Sequence, residues 1–118
     1  MAKIAIIDDQ EEVREVLDLF LSKKGFVVIQ AKNGREGIDL VRQHKPDLVL
    51  LDSKMPDIDG MEVLKKIREF DKGVTVVMLS GSDSEELEVR AREAGASGCL
   101  SKALDMEKIV KAVCDMVR

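Results

Sequence analysis

The chain is 118 residues long, a length at which a single domain can bury a hydrophobic core without disulfide bonds or structural metal ions. Hydrophobic residues make up 45% of the sequence and charged residues 36%, which excludes the polar composition of a disordered chain. The net charge of −4, with basic residues scattered instead of clustered, argues against direct binding of nucleic acid.

Short apolar runs alternate with amphipathic stretches along the chain, a pattern typical of a parallel β-sheet wrapped by helices. The predicted strands are residues 4–7, 26–30, 48–51, 74–79 and 98–100. The predicted helices have apolar residues at helical spacing and cover residues 13–21, 36–44, 63–70, 85–94 and 109–117. Because no linker or repeat interrupts this alternation, we predict one α/β domain over residues 1–118.

The two cysteines, Cys99 and Cys114, form no CxxC pair and have no nearby histidine, so no zinc site is predicted. We expect both thiols to be reduced, with a disulfide between them as the minor alternative. The first apolar run is too short for a signal peptide, and no later run is long enough to span a bilayer. We therefore expect a cytoplasmic protein without a membrane partner.

Polar and charged residues follow the predicted strands at the ends where ligands gather in open parallel sheets. These residues are Asp8, Asp9, Asp52, Ser80, Ser101 and Lys102, and Gly81 follows Ser80 at the end of the fourth strand. Three carboxylates that converge on one edge repel one another unless a hard cation lies among them. Mg²⁺ suits such a set of oxygen ligands, so the pattern predicts a magnesium site.

A carboxylate can attack phosphorus and form an aspartyl phosphate, provided that the charge on the transferred group is neutralised. Asp52 is the best candidate for this nucleophile because it ends the central and most apolar strand, which holds its backbone rigidly. Mg²⁺ and the ammonium of Lys102 would neutralise the charge, and the hydroxyl of Ser80 would donate a hydrogen bond to a phosphoryl oxygen.

Four segments together resemble the receiver domain of bacterial two-component response regulators, including the single-domain regulators of chemotaxis. They are Asp8-Asp9, LDSKMPDIDG at 51–60, MLSG at 78–81 and GASGCLSK at 95–102. The resemblance implies a flavodoxin-like (βα)5 three-layer sandwich whose parallel strands have the order 2-1-3-4-5. It covers essentially the whole chain, and it implies a signalling switch that catalyses only its own phosphorylation and dephosphorylation.

The same resemblance implies a role for individual residues. Asp52 would be the phosphoacceptor, Ser80 the switch hydroxyl and Lys102 the cation that contacts the phosphoryl group. Mg²⁺ would be held by Asp8, Asp9, Asp52 and the backbone carbonyl of Lys54. The implied partners are a histidine kinase or phosphotransfer protein as donor and an unidentified downstream protein as target.

The sequence departs from the family pattern at two positions, and two further positions are expected to modulate the site. Ala103 replaces the usual proline after the lysine, so the loop is expected to be either trans and reshaped or strained. Cys99 replaces the usual aromatic residue of the fifth strand, so we expect the response either to be smaller or to run through Ser80 and the loop after it alone. Lys54 and Ser82 would shield or admit the water that hydrolyses the aspartyl phosphate.

Some of these residues have simpler interpretations. Asp9 could cap the first helix, since Glu12 completes a capping-box spacing, and Asp59 is predicted to cap the third helix. Ser80 and Gly81 could form an ordinary turn. For the whole chain, one alternative is a degenerate receiver that binds a partner without being phosphorylated. A second alternative, a Mg²⁺-dependent phosphohydrolase, is disfavoured because no substrate-binding insertion is visible.

Overall fold

The computed structural model describes residues 2–81 and 85–117 of the chain. Five strands alternate with five helices in the order β1 (Lys3–Ile7), α1 (Glu11–Lys23), β2 (Val27–Ala31), α2 (Gly34–His44), β3 (Leu48–Asp52), α3 (Gly60–Phe70), β4 (Thr75–Ser80), α4 (Glu85–Glu93), β5 (Gly98–Ser101) and α5 (Met106–Met116). All strands are parallel, and their order is β2-β1-β3-β4-β5. The predicted α/β class and strand order are confirmed.

The sheet is covered by helices on both faces, which gives the predicted three layers. Along β3 the side chains alternate between the two faces, and every residue of the strand is buried. Val49 and Leu51 pack with the apolar faces of α2, α3 and α4, whereas Leu48 and Leu50 pack with those of α1 and α5. This burial on both faces explains why the third strand is an unbroken apolar run in the sequence.

The four later strands each extend one residue past their predicted ends, because the hydrogen-bond ladder of the sheet continues where the apolar run stops. In three of these strands the added residue is polar, namely Asp52, Ser80 or Ser101. The register places these residues at one edge of the sheet, since Asp52 pairs with Leu79 and Ser80 with Ser101. The fold therefore gathers the polar strand ends that the sequence predicts as a site.

The cysteines lie on opposite faces of the sheet. Cys99 packs at the edge of the core formed with α2, α3 and α4, and Cys114 at the edge of the core formed with α1 and α5. Both thiols are free and half-buried, so the expectation of reduced cysteines is confirmed and the alternative of a disulfide is wrong. Within the described ranges, no helix is long and apolar enough to cross a membrane.

A half-buried arginine fixes the turns at the end of the sheet opposite to the polar strand ends. The guanidinium of Arg68 donates hydrogen bonds to the carbonyl oxygens of Asp71 (3.1 Å), Val74 (2.7 Å) and Gly95 (2.9 Å). Gly95 has a φ of +108°, a left-handed conformation that favours glycine. Burial lowers the pKa of Arg68 from its ordinary value. The guanidinium nevertheless stays protonated at neutral pH, because arginine is effectively always charged in proteins.

The loop between β3 and α3 is held closely against its neighbours. The carboxylate of Asp59 accepts a hydrogen bond from the backbone N–H of Met61 (2.9 Å), which confirms Asp59 as the cap of the third helix. The backbone N–H of Gly60 donates to the carbonyl of Ser53 (3.1 Å). A Cβ atom at Gly60 would overlap the carbonyl oxygen of Asp52. Only glycine therefore allows the start of α3 to lie this close to the backbone of β3.

We expect Gly60→Ala to destabilise the protein by about 2 kcal/mol, because the added methyl group meets backbone atoms that cannot rotate away. Alanine is the better helix former, so any loss of stability reports the close contact and not the helix preference. The matched control is Gly73→Ala, whose nearest neighbouring atom would be 3.8 Å away. Urea unfolding measures both variants; equal free energies of unfolding for Gly60→Ala and Gly73→Ala would contradict the close contact.

Candidate functional site

Three aspartates meet at the carboxyl edge of the sheet. Asp8 follows Ile7, which is the register partner of Leu51, so Asp8 and Asp52 leave neighbouring strands side by side. Asp8 is fully buried and Asp52 is 4% exposed, whereas Asp9 faces solvent. One carboxylate oxygen of each aspartate lies within 4.8 Å of the others. The structure thus brings together the carboxylates that the sequence predicts as metal ligands.

The ammonium group of Lys102 lies between the two buried carboxylates. Its Nζ atom is 3.0 Å from Oδ2 of Asp8 and 3.0 Å from Oδ1 of Asp52. The backbone N–H of Lys102 donates a hydrogen bond to the carbonyl of Ser80 (2.8 Å), which ties the loop after β5 to the end of β4. The Lys102–Ala103 peptide bond is trans. The lysine therefore reaches the site without the usual proline, and the alternative of a strained cis bond is wrong.

Burial and charge change the pKa values of this cluster. Burial raises the pKa of Asp52 from 3.8 to about 6, the hydrogen bond from Lys102 opposes this rise, and the charge of Asp8 adds to it. Burial alone would lower the pKa of Lys102, but its close contacts with the carboxylates of Asp8 and Asp52 outweigh burial and raise that pKa. One ammonium thus faces two buried carboxylates, which leaves an excess of negative charge in the site.

The oxygen atoms of Asp8 and Asp52 fit a hard cation. Oδ1 of Asp8 accepts a hydrogen bond from the backbone N–H of Gln10 (2.9 Å). Oδ2 of Asp8 is buried and close to the ammonium of Lys102, yet its geometry there does not make a hydrogen bond. Burying a charged oxygen without a hydrogen bond is costly, and a divalent cation would compensate it. The donor set therefore suits Mg²⁺, whose preferred ligands are carboxylate oxygens and water.

A shallow cavity opens above these carboxylates. Its lining residues are Asp9, Gln10, Asp52, Ser53, Lys54, Gly81 and Lys102. The backbone N–H of Lys54 donates a long hydrogen bond to Oδ1 of Asp52 (3.4 Å), which places Lys54 beside the predicted phosphoacceptor. The cavity is lined by both the exposed Asp9 and the buried Asp52, so it connects the buried carboxylate with solvent.

The other predicted residues lie around this cavity at different depths. Ser80 is buried at the end of β4, one residue before Gly81 in the cavity wall. Cys99 is paired with Met78 across β4 and β5, and burial raises the pKa of its thiol. Ser82 lies outside the described residues. The first helix begins after Gln10, so Asp9 is not its N-cap residue and remains available to the site.

Two contacts at the site were not predicted from the sequence. The side-chain carbonyl of Gln10 accepts a hydrogen bond from Nζ of Lys102 (3.3 Å). The carboxylate of Asp57 accepts hydrogen bonds from the backbone N–H groups of Gly34 and Arg35, both at 3.0 Å, and thereby holds the loop after β3 against the start of α2. For Gln10 the available signal was its position directly after the two aspartates; for Asp57 no local pattern indicates the partner.

Comparisons with known proteins agree with this geometry. The family model described as "Response regulator receiver domain" matches residues 4–114. Sporulation initiation phosphotransferase F of Bacillus subtilis is 36% identical over 111 residues, which cover 94% of this chain and 90% of that protein. Chemotaxis protein CheY of Halobacterium salinarum is 33% identical over 118 residues, with 99% of this chain and 98% of the relative covered.

Solved structures show the same fold. The chemotaxis protein CheY4 of Vibrio cholerae superposes with a TM-score of 0.92 at 28% identity, over 98% of each chain. A CheY-like receiver domain protein from Methanospirillum hungatei superposes with a TM-score of 0.93 at 26% identity, over 99% of this chain and 94% of the other. With the strand order, the polar strand ends and these matches taken together, the chain belongs to the response regulator receiver domain family.

Proposed function

We propose that this receiver domain is a phosphorylation switch, in which Asp52 accepts a phosphoryl group from a histidine kinase or a phosphotransfer protein. The observation that carries the proposal is the buried pair of Asp8 and Asp52 with the ammonium of Lys102 between them. A cluster with this excess of buried negative charge is expensive to maintain as a purely structural element. It is suited to receiving a cation and a phosphoryl group whose oxygens then contact the ammonium.

In the proposed transfer, an oxygen of the Asp52 carboxylate attacks the phosphorus of a phosphohistidine. The new bond joins oxygen to phosphorus, the bond between phosphorus and the imidazole nitrogen breaks, and the imidazole leaves with its electron pair and takes up a proton. Asp8, Asp9, Asp52 and the backbone carbonyl of Lys54 would hold Mg²⁺, which when bound offsets part of the charge that develops on the phosphoryl oxygens.

The protein's own residues would then stabilise the transferred group. Lys102 would exchange its contact with the Asp52 carboxylate for one with a phosphoryl oxygen, and the Ser80 hydroxyl would donate a second hydrogen bond. The backbone N–H of Lys102 donates a hydrogen bond to the carbonyl of Ser80. Movement of either residue would therefore displace the other. This link supports a response that runs through Ser80 and the following loop, without the aromatic side chain that Cys99 replaces.

The reverse half of the cycle is hydrolysis. Water attacks phosphorus, the bond to the Asp52 oxygen breaks, and the carboxylate and inorganic phosphate are released. Lys54 lies in the cavity wall next to Asp52 and is exposed, so its side chain is placed to influence the approach of this water. The product of the cycle is a changed surface that a downstream protein would recognise. The names of the two relatives, a phosphotransferase and a chemotaxis protein, agree with such a role.

Phosphorylation is tested by incubating the protein with acetyl phosphate and Mg²⁺ and measuring its intact mass. We expect a gain of one phosphoryl group in the wild type, none in Asp52→Asn, and little without Mg²⁺. Asp39→Asn is the matched control, because Asp39 is an exposed aspartate on α2, and it should be phosphorylated as the wild type is. No gain of mass with any phosphodonor would favour the alternative of a degenerate receiver that acts by binding alone.

The raised pKa of Asp52 predicts how the stability of the metal-free protein depends on pH. The native carboxyl holds its proton up to about pH 6, whereas in the unfolded chain it ionises near pH 3.8, so stability falls as pH rises through this window. We therefore expect Asp52→Asn to stabilise the metal-free protein at pH 7.5, on the order of 2 kcal/mol, with the gain shrinking towards pH 4.

Urea unfolding in the presence of EDTA at several pH values measures this difference. The control is again Asp39→Asn, since the exposed ion pair of Asp39 with Arg42 contributes little to stability. A gain for Asp52→Asn that does not change between pH 4 and pH 7.5 would show that desolvation of the Asp52 charge is not its cause.

A further inference from the structure

The side chain of Gln10 contacts the site instead of its own helix. Gln10 is the N-cap residue of α1, and its backbone is extended, with φ −88° and ψ 109°. Its side chain makes no capping hydrogen bond to the first turn of α1, where backbone N–H groups have no partner within the helix. Its carbonyl Oε1 instead accepts a hydrogen bond from Nζ of Lys102, a residue 92 positions later in the chain.

Gln10 is also fixed at its backbone by the site. Its N–H donates to Oδ1 of Asp8 (2.9 Å), so the residue that contacts the ammonium is itself held by one of the buried carboxylates. Gln10 and Lys102 both line the cavity above Asp52. The start of α1 and the loop after β5 are thus joined across the mouth of the site.

Three oxygen atoms lie around the Lys102 ammonium. Oδ2 of Asp8 and Oδ1 of Asp52 lie at 3.0 Å, and Oε1 of Gln10 lies at 3.3 Å. Both carboxylates are the groups that a cation and a phosphoryl group would engage. The carboxamide of Gln10 is neutral and has the same acceptor whatever the state of Asp52.

From this geometry we propose that Gln10 is a positioning residue for Lys102 during phosphoryl transfer. This role rests on the proposed function, and it makes Gln10 a determinant of the rate at which Asp52 is phosphorylated. Lysine has a flexible stem, and the Lys102 side chain is 21% exposed, so it loses conformational freedom when it is held at the site. As the carboxylates turn to the cation, Gln10 retains one of the three contacts and keeps the ammonium within reach of the phosphoryl oxygens.

The test is a double-mutant cycle on the rate of phosphorylation by acetyl phosphate at a fixed Mg²⁺ concentration. Gln10→Met keeps the length of the side chain but replaces the carbonyl with a weak acceptor. The loss of one hydrogen bond to a charged group predicts a rate about tenfold lower. In the Lys102→Met background the same change at Gln10 should have no further effect, because its partner is gone. Gln43→Met, at an exposed glutamine of α2, is the matched control and should keep the wild-type rate.

The Lys102→Met variant could be phosphorylated too slowly for its rate to be measured. A second double-mutant cycle therefore uses the same variants and measures the midpoint of urea unfolding in the absence of a phosphodonor. A smaller shift of the midpoint from Gln10→Met in the Lys102→Met background than in the wild type supports the contact. Additive effects in this cycle, or a wild-type phosphorylation rate for Gln10→Met, would overturn the role of Gln10 while the proposed function stands. A wild type that takes up no phosphoryl group would overturn both.

Discussion

One ammonium group between two buried carboxylates is the interaction on which the rest of the structure depends. Asp8 and Asp52 leave adjacent strands in the same register, so their carboxylates lie side by side wherever the sheet forms correctly. Lys102 balances only one of the two charges, and burial, with a smaller contribution from the charge of Asp8, raises the pKa of Asp52. This excess of buried negative charge is the property on which the proposed binding of a cation and a phosphoryl group rests.

The remainder of the fold serves to hold these three residues at fixed distances. The strand that ends in Asp52, β3, is buried along its whole length by close packing on both faces of the sheet. Gly60 allows α3 to start against the backbone of Asp52, and Asp57 anchors the same loop to α2. At the other side of the site, the bond from the Lys102 N–H to the Ser80 carbonyl fixes the lysine without a proline.

Local periodicity and the polar ends of strands predicted the α/β class and proposed Asp8, Asp9, Asp52 and Lys102 as site residues, whereas the strand order was implied by the resemblance to receiver domains. The structure confirms the fold and the strand order, and it brings those four residues together. The sequence left open whether the peptide bond before Ala103 is trans, because the path of that loop depends on the hydrogen bond from the Lys102 N–H to the Ser80 carbonyl. It gave no indication that Gln10 contacts Lys102 or that Asp57 caps α2. Gln10 and Lys102 are 92 positions apart, and Asp57 is 23 and 22 positions from its two partners in α2. Only the packed structure brings these residues together.

The most direct test of this charge imbalance is the thermal unfolding midpoint, followed by far-ultraviolet circular dichroism at increasing Mg²⁺ concentrations. For the wild type we expect a rise of about 10 °C at a hundredfold excess over the dissociation constant, because the cation binds only the native carboxylates. Asp8→Asn should show a much smaller rise, since a buried ligand charge is lost. A midpoint that does not respond to Mg²⁺, or that rises equally in both proteins, would contradict the assignment of these carboxylates as a cation site.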